Sequence, residues 1–230
     1  MKFNINQHGM AVIIFARLSS KRLYKKVFKK IQSKPLLLLI LERIKKNSKF
    51  KLPIIVATSD KKSDDEIELF CKKNQIKIFR GDLNNVYKRS LGCFTKYRLK
   101  SFVRVCADRP FFDVRLMDRM INKFLQSKHD IISNQHPRSY PKGLACEVAN
   151  TDIFFSVNQD KLSKKHKEHI FNYFYENDKR FRIFNFNINK KYQDLKTKDF
   201  SINNKNDLIR INNIYKKYSK KKYIDLLKIL

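Results

Sequence analysis

Short apolar runs rich in β-branched residues alternate with longer amphipathic stretches over the first two thirds of the chain. That rhythm is the sequence form of repeated strand–helix–strand units on a parallel sheet. Ala11–Ala16, Ile54–Thr58, Ile76–Phe79, Phe102–Cys106 and Asp130–Ser133 predict strands. Leu36–Lys46, Asp64–Asn74, Val86–Leu99 and Val114–Gln126 predict the helices between them. Ser63, followed three residues later by Glu66, reads as a capping box that starts the second of these helices.

Pro137, Pro141 and Gly143 interrupt the rhythm, so 135–148 reads as an excursion beside the sheet edge. Beyond it, helical patterns at Lys164–Asn177 and Lys205–Tyr218 flank a strand over Phe181–Ile188, whose apolar residues alternate. The lysine-rich stretch Tyr215–Tyr223 reads as a solvated helix face. A chain of 230 residues, 42% of them hydrophobic, buries a sizeable core, and the expectation is a single domain.

Charge changes this picture less than its size suggests. The formal charge is +31, from 38 Lys and 14 Arg against 21 acidic residues, but the excess is spread along the whole chain. A lysine-rich solvated surface is expected, and no nucleic-acid partner, since neither an RNP-type aromatic motif nor a helix-turn-helix signature accompanies it. Cys71, Cys93, Cys106 and Cys146 form no C-x-x-C pair and indicate neither a zinc site nor a disulfide framework. No apolar run reaches the ~20 residues that span a bilayer, so no membrane insertion is expected, and a reducing cytoplasm fits best.

Ligands of an open parallel sheet bind beyond the carboxyl ends of the strands, where strand order reverses. The loop after the first strand holds Arg17, Lys21, Arg22, Lys25 and Lys26 with Ser19 and Ser20, a set that suits a triphosphate or serves simply as a basic loop. It carries neither a P-loop nor a dinucleotide fingerprint. Asp108 lies just past the fourth strand, where it could hold Mg²⁺ against substrate phosphates or make a turn.

Taken together these stretches resemble the CMP-sugar synthetase superfamily, and within it the spore-coat polysaccharide cytidylyltransferase-like branch. Arg17-Leu18-Ser19-Ser20-Lys21-Arg22-Leu23-Tyr24-Lys25-Lys26 is similar to its R-x-G-S-x-R-L-P-x-K loop. Val56 to Asp60, Phe79-Arg80-Gly81, Arg104 with Asp108 and Pro110, Ser133-Asn134, Pro137 to Leu144 with Glu147-Val148, and Glu168-His169 follow in the family's order, over roughly residues 10 to 211.

The resemblance implies a Rossmann-like, doubly wound, mostly parallel sheet with helices on both faces, of the nucleotide-diphospho-sugar transferase type. It implies attack by the hydroxyl of an acidic or amino sugar on the α-phosphorus of CTP, giving a CMP-sugar and pyrophosphate for surface polysaccharide synthesis. Carried over by position, Arg17, Arg22 and Lys26 would be catalytic, and with Ser19, Ser20, Thr58, Ser59, Asp60, Arg80 and Arg104 would bind the nucleotide. Asp108 and Asn203 would hold Mg²⁺. Arg138, Tyr140, Glu147, Glu168 and His169 would face the sugar or a homodimer interface.

Five positions depart from the pattern. Ser19, Tyr24 and Ala107 replace Gly, Pro and Gly, while Ala145 and Asn203 replace two aspartates. If the glycine at 19 has φ > 0, serine there strains the loop by about 1 kcal/mol. Two lost carboxylates weaken a metal site, so a catalytically degenerate nucleotide- or sugar-binding homologue is the first alternative, and a nucleic-acid-binding basic protein the second.

Overall fold

The apolar run Met10–Phe15 has no polar face, and a strand of that kind needs covering on both sides. It becomes β1, an interior strand of a seven-stranded sheet. In the computed structural model, which describes residues 9–218, the chain continues through β2 (Lys30–Ile31), β3 (Lys34–Pro35), α1 (Leu36–Asn47), β4 (Ile54–Ser59), α2 (Asp65–Lys73), β5 (Lys77–Gly81), α3 (Val86–Tyr97), β6 (Ser101–Cys106) and α4 (Val114–Leu125). There follow β7 (Ile131–Ser133), β8 (Glu147–Asn150), α5 (Asp152–Phe155), α6 (Lys164–Glu168), α7 (Asn172–Glu176), β9 (Ile183–Asn185) and α8 (Lys205–Lys217).

The sheet order is β5-β4-β1-β6-β8-β7-β9, with β2 and β3 forming a separate small hairpin. β5, β4, β1 and β6 are mutually parallel, and β8 runs antiparallel to both β6 and β7. Side chains alternate across this sheet. Val12, Ile14, Val56, Val103 and Val105 pack with α1, α2, α4 and α8, whereas Ala11, Ile13, Ile55, Ala57 and Phe102 face α3, α5 and α7 through Tyr87, Phe94, Phe154, Phe171 and Phe174. Helices therefore cover both faces, as a doubly wound sheet requires. From β1 the chain winds to β4 and β5 on one side and then crosses to β6 on the other, so the switch point lies between β1 and β6.

Four expectations need correction. The excursion over 135–148 does not stay beside the edge: it returns as β8 between β6 and β7. Lys164–Asn177 is two short helices, because His169 leaves helical geometry at φ −111°, ψ 84° and lets Ile170 and Phe171 turn into the aromatic core. Only Ile183–Asn185 of the long predicted strand pairs, since the side chain of Asn185 bonds the backbone of His136 and Pro137 and draws the chain away. Residues 219–223 of the lysine-rich stretch lie outside the described residues, and Tyr215 at its start is buried.

The fourth concerns Ser63 and Glu66, which form no capping box. Ser63 sits in a 3₁₀ turn before α2, and Glu66 pairs with Lys25. The acidic group that matters there is Asp64, fully buried. It accepts from the Leu18 amide at 2.8 Å, the Thr58 hydroxyl at 3.0 Å, and the amide and hydroxyl of Ser59. One carboxylate thus joins the end of β4 to the loop leaving β1.

A second tie fixes the far side of the site. Gly143 has φ +92°, and a Cβ there would stand 2.6 Å from the carbonyl carbon of Phe200. Its neighbour Lys142 donates to Lys198 O at 3.1 Å and accepts from Phe200 N at 2.8 Å. The excursion is thereby pinned to the segment that carries Asn203.

Replacing Asp64 by Ala leaves buried donors from three residues without an acceptor, and hydrogen bonds to a charged group contribute about 1.5–3 kcal/mol each. Asp64→Ala is expected to lower unfolding free energy by about 3 kcal/mol or more in urea titration. Asp65→Ala, which loses only a solvent-facing pair with Arg80, should cost far less. Equal small losses would show that Asp64 ties nothing together.

Candidate active site

The loop after β1 turns sharply at Leu18, whose carbonyl accepts from the amides of Ser20 at 2.7 Å and Lys25 at 3.1 Å. Lys25 takes the left-handed conformation, φ 52°, ψ 34°. The strained position expected at Ser19 is therefore at Lys25; Ser19 is not among the described non-glycine residues with positive φ. That reversal starts the 3₁₀ turn Lys26–Phe28, whose Val27 is buried.

Four of the loop's five cations have a partner far along the chain. Lys26 Nζ lies 2.9 Å from Asp108 Oδ2, Arg22 Nη2 lies 3.0 Å from Asn203 Oδ1, Arg17 Nη2 lies 3.3 Å from Glu168 Oε1, and Lys25 pairs with Glu66. Asp108 and Asn203 are neighbours too, because Ile202 N donates to Asp108 O at 3.0 Å. Asn203 is set by its own surroundings, its Nδ2 donating to Ser201 Oγ at 2.8 Å and its amide to Asp207 Oδ2 at 2.9 Å. Six predicted residues thus gather at the switch point.

Asp108 is partly buried, which pushes its carboxyl up, but Lys26 and Arg109 together hold it below its ordinary 3.8. Its oxygens and Asn203 Oδ1 are hard donors of the kind magnesium takes, with only one formal negative charge between them. Among the described residues no three His, Cys, Asp or Glu side chains gather into a metal site. Any divalent ion here would need oxygens from a ligand.

A second polar group lies one step down the sheet. Ser133, Glu147 and Arg104 stand in register across β7, β8 and β6. Arg104 donates to Glu147 Oε1 at 2.7 Å and to Cys106 Sγ at 3.2 Å. Glu147 is 1% exposed and its Oε2 has no partner among the described residues. Burial and the Glu147 charge push the Tyr175 phenol up, keeping it a neutral hydroxyl 2.6 Å from Ser133 Oγ. Arg138 and His169 are exposed on the flanking loops, and Asp60 is exposed just past β4.

Four residues predicted to touch ligand are turned to structural tasks. Thr58 and Ser59 are fully buried with their hydroxyls on Asp64. Arg80 is clamped by Asp65 and Glu68 and by the carbonyls of Ser59 and Lys61. Tyr140 is buried in the core on the α1 and α4 face. Sequence reading also passed over three residues. Asp64 registered only as a helix start, Arg89 only as an interior helix position, and Arg109, which donates to the carbonyl of Ala145, carried no signal of its own.

A doubly wound sheet with a cation-rich loop after its first strand, facing a carboxylate at the switch point, defines an α/β nucleotidyltransferase, and solved structures share this fold. A cytidylyltransferase from Leptospira borgpetersenii superposes with a TM-score of 0.80 at 24% identity, over 94% of this chain and 99% of that one. A CMP:2-keto-3-deoxy-manno-octonic acid synthetase complexed with CTP gives 0.67 at 14% identity, over 90% and 98%. Sequence settles the family: residues 11–228 match the cytidylyltransferase family model, and the chain belongs to that family. It is 33% identical over 172 residues to an uncharacterised protein of Methanocaldococcus jannaschii, covering 75% of this chain and 69% of the relative. A spore coat polysaccharide biosynthesis protein of Bacillus subtilis is 27% identical over 175 residues, covering 74% and 72%.

The Lys26–Asp108 pair makes a pH prediction. Because the folded carboxyl titrates below its ordinary value, the stability it contributes is complete above 3.8 and is lost as pH falls through the lowered value. Lys26→Met removes the nearer cation while burial stays, so the Asp108 midpoint should rise in a ¹³C NMR titration. The acid limb of the stability curve should move to higher pH with it. An unmoved midpoint would mean that Lys26 does not hold this carboxylate.

Proposed function

We propose that this chain transfers CMP from CTP to the hydroxyl of an acidic or amino sugar, releasing pyrophosphate, as a step in surface polysaccharide synthesis. The observation that carries the reading is the meeting of Lys26 and Arg22 with Asp108 and Asn203 where the sheet changes direction. The cytidylyltransferase family, and a relative named for spore coat polysaccharide biosynthesis, support it.

Such a transfer needs positioning and charge neutralisation more than covalent catalysis. Arg17, Ser20, Arg22 and Lys26 cradle the triphosphate, the cations exchanging Glu168, Asn203 and Asp108 for phosphate oxygens. Lys26 then neutralises charge on the departing pyrophosphate. Asp108 and Asn203 Oδ1 would hold magnesium, which would supply positive charge at the phosphates. The sugar lies toward Arg104, Glu147 and Tyr175, where Glu147 can accept from a hydroxyl or an ammonium group. A cytoplasmic homodimer, with Arg138 and His169 at the sugar site or the interface, completes the reading.

The second reading, a nucleotide-binding homologue without catalysis, is favoured by the single formal charge that Asp108 and Asn203 offer a cation. Purified protein with each nucleoside triphosphate, Mg²⁺ and a panel of acidic and amino sugars separates the two by pyrophosphate release.

With an active pair in hand, Lys26→Ala should lower kcat at least about tenfold, as loss of one charge-stabilising donor does. Lys25→Ala, which removes only the partner of Glu66, should not. Equal effects at both positions would reduce the loop to a generally basic one.

Asn203→Asp should lower the Mg²⁺ concentration for half-maximal rate, since divalent affinity rises with ligand charge. A reverted protein that releases no pyrophosphate at any magnesium level, with any sugar tried, would leave only the binding role.

A further inference from the structure

Arg89 is a buried cation whose charge the structure leaves unmatched. It is 3% exposed, and burial, with Arg17 nearby, pushes its guanidinium down to about 10. Arg80 has Asp65 and Glu68, and Arg104 has Glu147, but Arg89 has no carboxylate within ion-pair distance among the described residues. Its one acceptor there is the carbonyl of Asp82, 2.9 Å from Nη1, and its Nε is closed off without a partner. A buried unpaired cation is costly, and an apolar side chain would fill the place more stably.

Its location says what such a group could serve. Arg89 lies in the first turns of α3, its stem against Gly81, where a Cβ would come within 3.1 Å of Arg89 Cγ. The charges acting on it are Arg17, Asp64, Asp82 and Asp60, from the ends of β1, β4 and β5. β5 and β6 are three strand spacings apart, about 14 Å at roughly 4.8 Å each. A nucleotide whose phosphates lie between Lys26 and Asp108, over β1 and β6, and which extends across the strand ends therefore puts its base over β4 and β5. The phosphates already have the loop cations, so the group left for Arg89 is the base.

We propose that Arg89 selects the base, its guanidinium fork donating to the adjacent acceptors O2 and N3 of cytosine. This deepens the cytidylyltransferase reading and rests on it. Cytosine offers two neighbouring acceptors to a planar fork, whereas uracil carries a hydrogen on N3 that points at the donor. A site built to donate there rejects the mismatched base because its own buried donor is left unpaired.

Titration calorimetry of the full chain with CTP and with UTP, both with Mg²⁺, tests this. The wild type should bind CTP about tenfold or more tighter than UTP, the discrimination of one good bidentate contact. Arg89→Met should bring the two affinities together while its melting temperature holds or rises. Arg89→Lys keeps the charge without the fork and should also lose the preference, and it decides the matter if the Met variant does not fold. A folded Met or Lys variant with the wild-type ratio overturns the inference and makes Arg89 a strut for the loop at Asp82, leaving the family reading intact. A wild type that binds both nucleotides equally overturns it as well. A wild type that binds neither removes the cytidylyltransferase reading along with it.

Discussion

The placement of the site depends on the carboxylate of Asp64. A strand-to-helix loop with five cations repels itself, and only the small side chain of Ala16 precedes Leu18 to hold it down. Asp64 supplies the hold by taking the Leu18 amide with one oxygen and the end of β4 with the other. Leu18 can then bury its side chain, and its carbonyl gathers the amides of Ser20 and Lys25. From that anchored turn Lys25 reverses the chain, and Lys26 reaches across to β6. The contacts of the loop after β1 build on this buried hub.

The same economy governs the charges. A protein at +31 could leave the loop cations to solvent, yet Arg17, Lys25 and Lys26 rest on carboxylates and Arg22 on an amide oxygen. These contacts join the loop to α6, α2, the end of β6 and the segment before α8. They hold long, rotamer-rich side chains in fixed positions at the strand ends. Most of the other lysines among the described residues are exposed and spread along the chain.

The layered core was legible because buried strands and amphipathic helices each impose their own spacing on apolar residues. Hence β1, β4, β6 and the helices α1 to α4 fall within two residues of where periodicity puts them. β8 was hidden, since four residues after a proline-rich segment carry too little pattern to reveal an inserted antiparallel strand. The loop cations and Asp108 were visible as chemistry at strand ends. Thr58, Ser59, Arg80 and Tyr140 show the ambiguity: a polar side chain at a strand end or in a loop faces either ligand or core, and spacing does not distinguish the two. Asp64 looked like a helix cap because acidic residues start helices everywhere. Arg89 was invisible, being one basic residue in a helix between Lys88 and Ser90 in a chain full of them.

The backbone contact at Gly143 bears on how this protein can change over generations. Every other amino acid carries a Cβ, so no substitution at that position is silent to the Phe200–Ser201 backbone packed against it. Lineages can therefore vary Pro137 to Lys142, and with it whatever that loop recognises, only while holding the join to Phe200 fixed. Changes in that loop can accumulate on one side of the joint without disturbing Asn203 on the other.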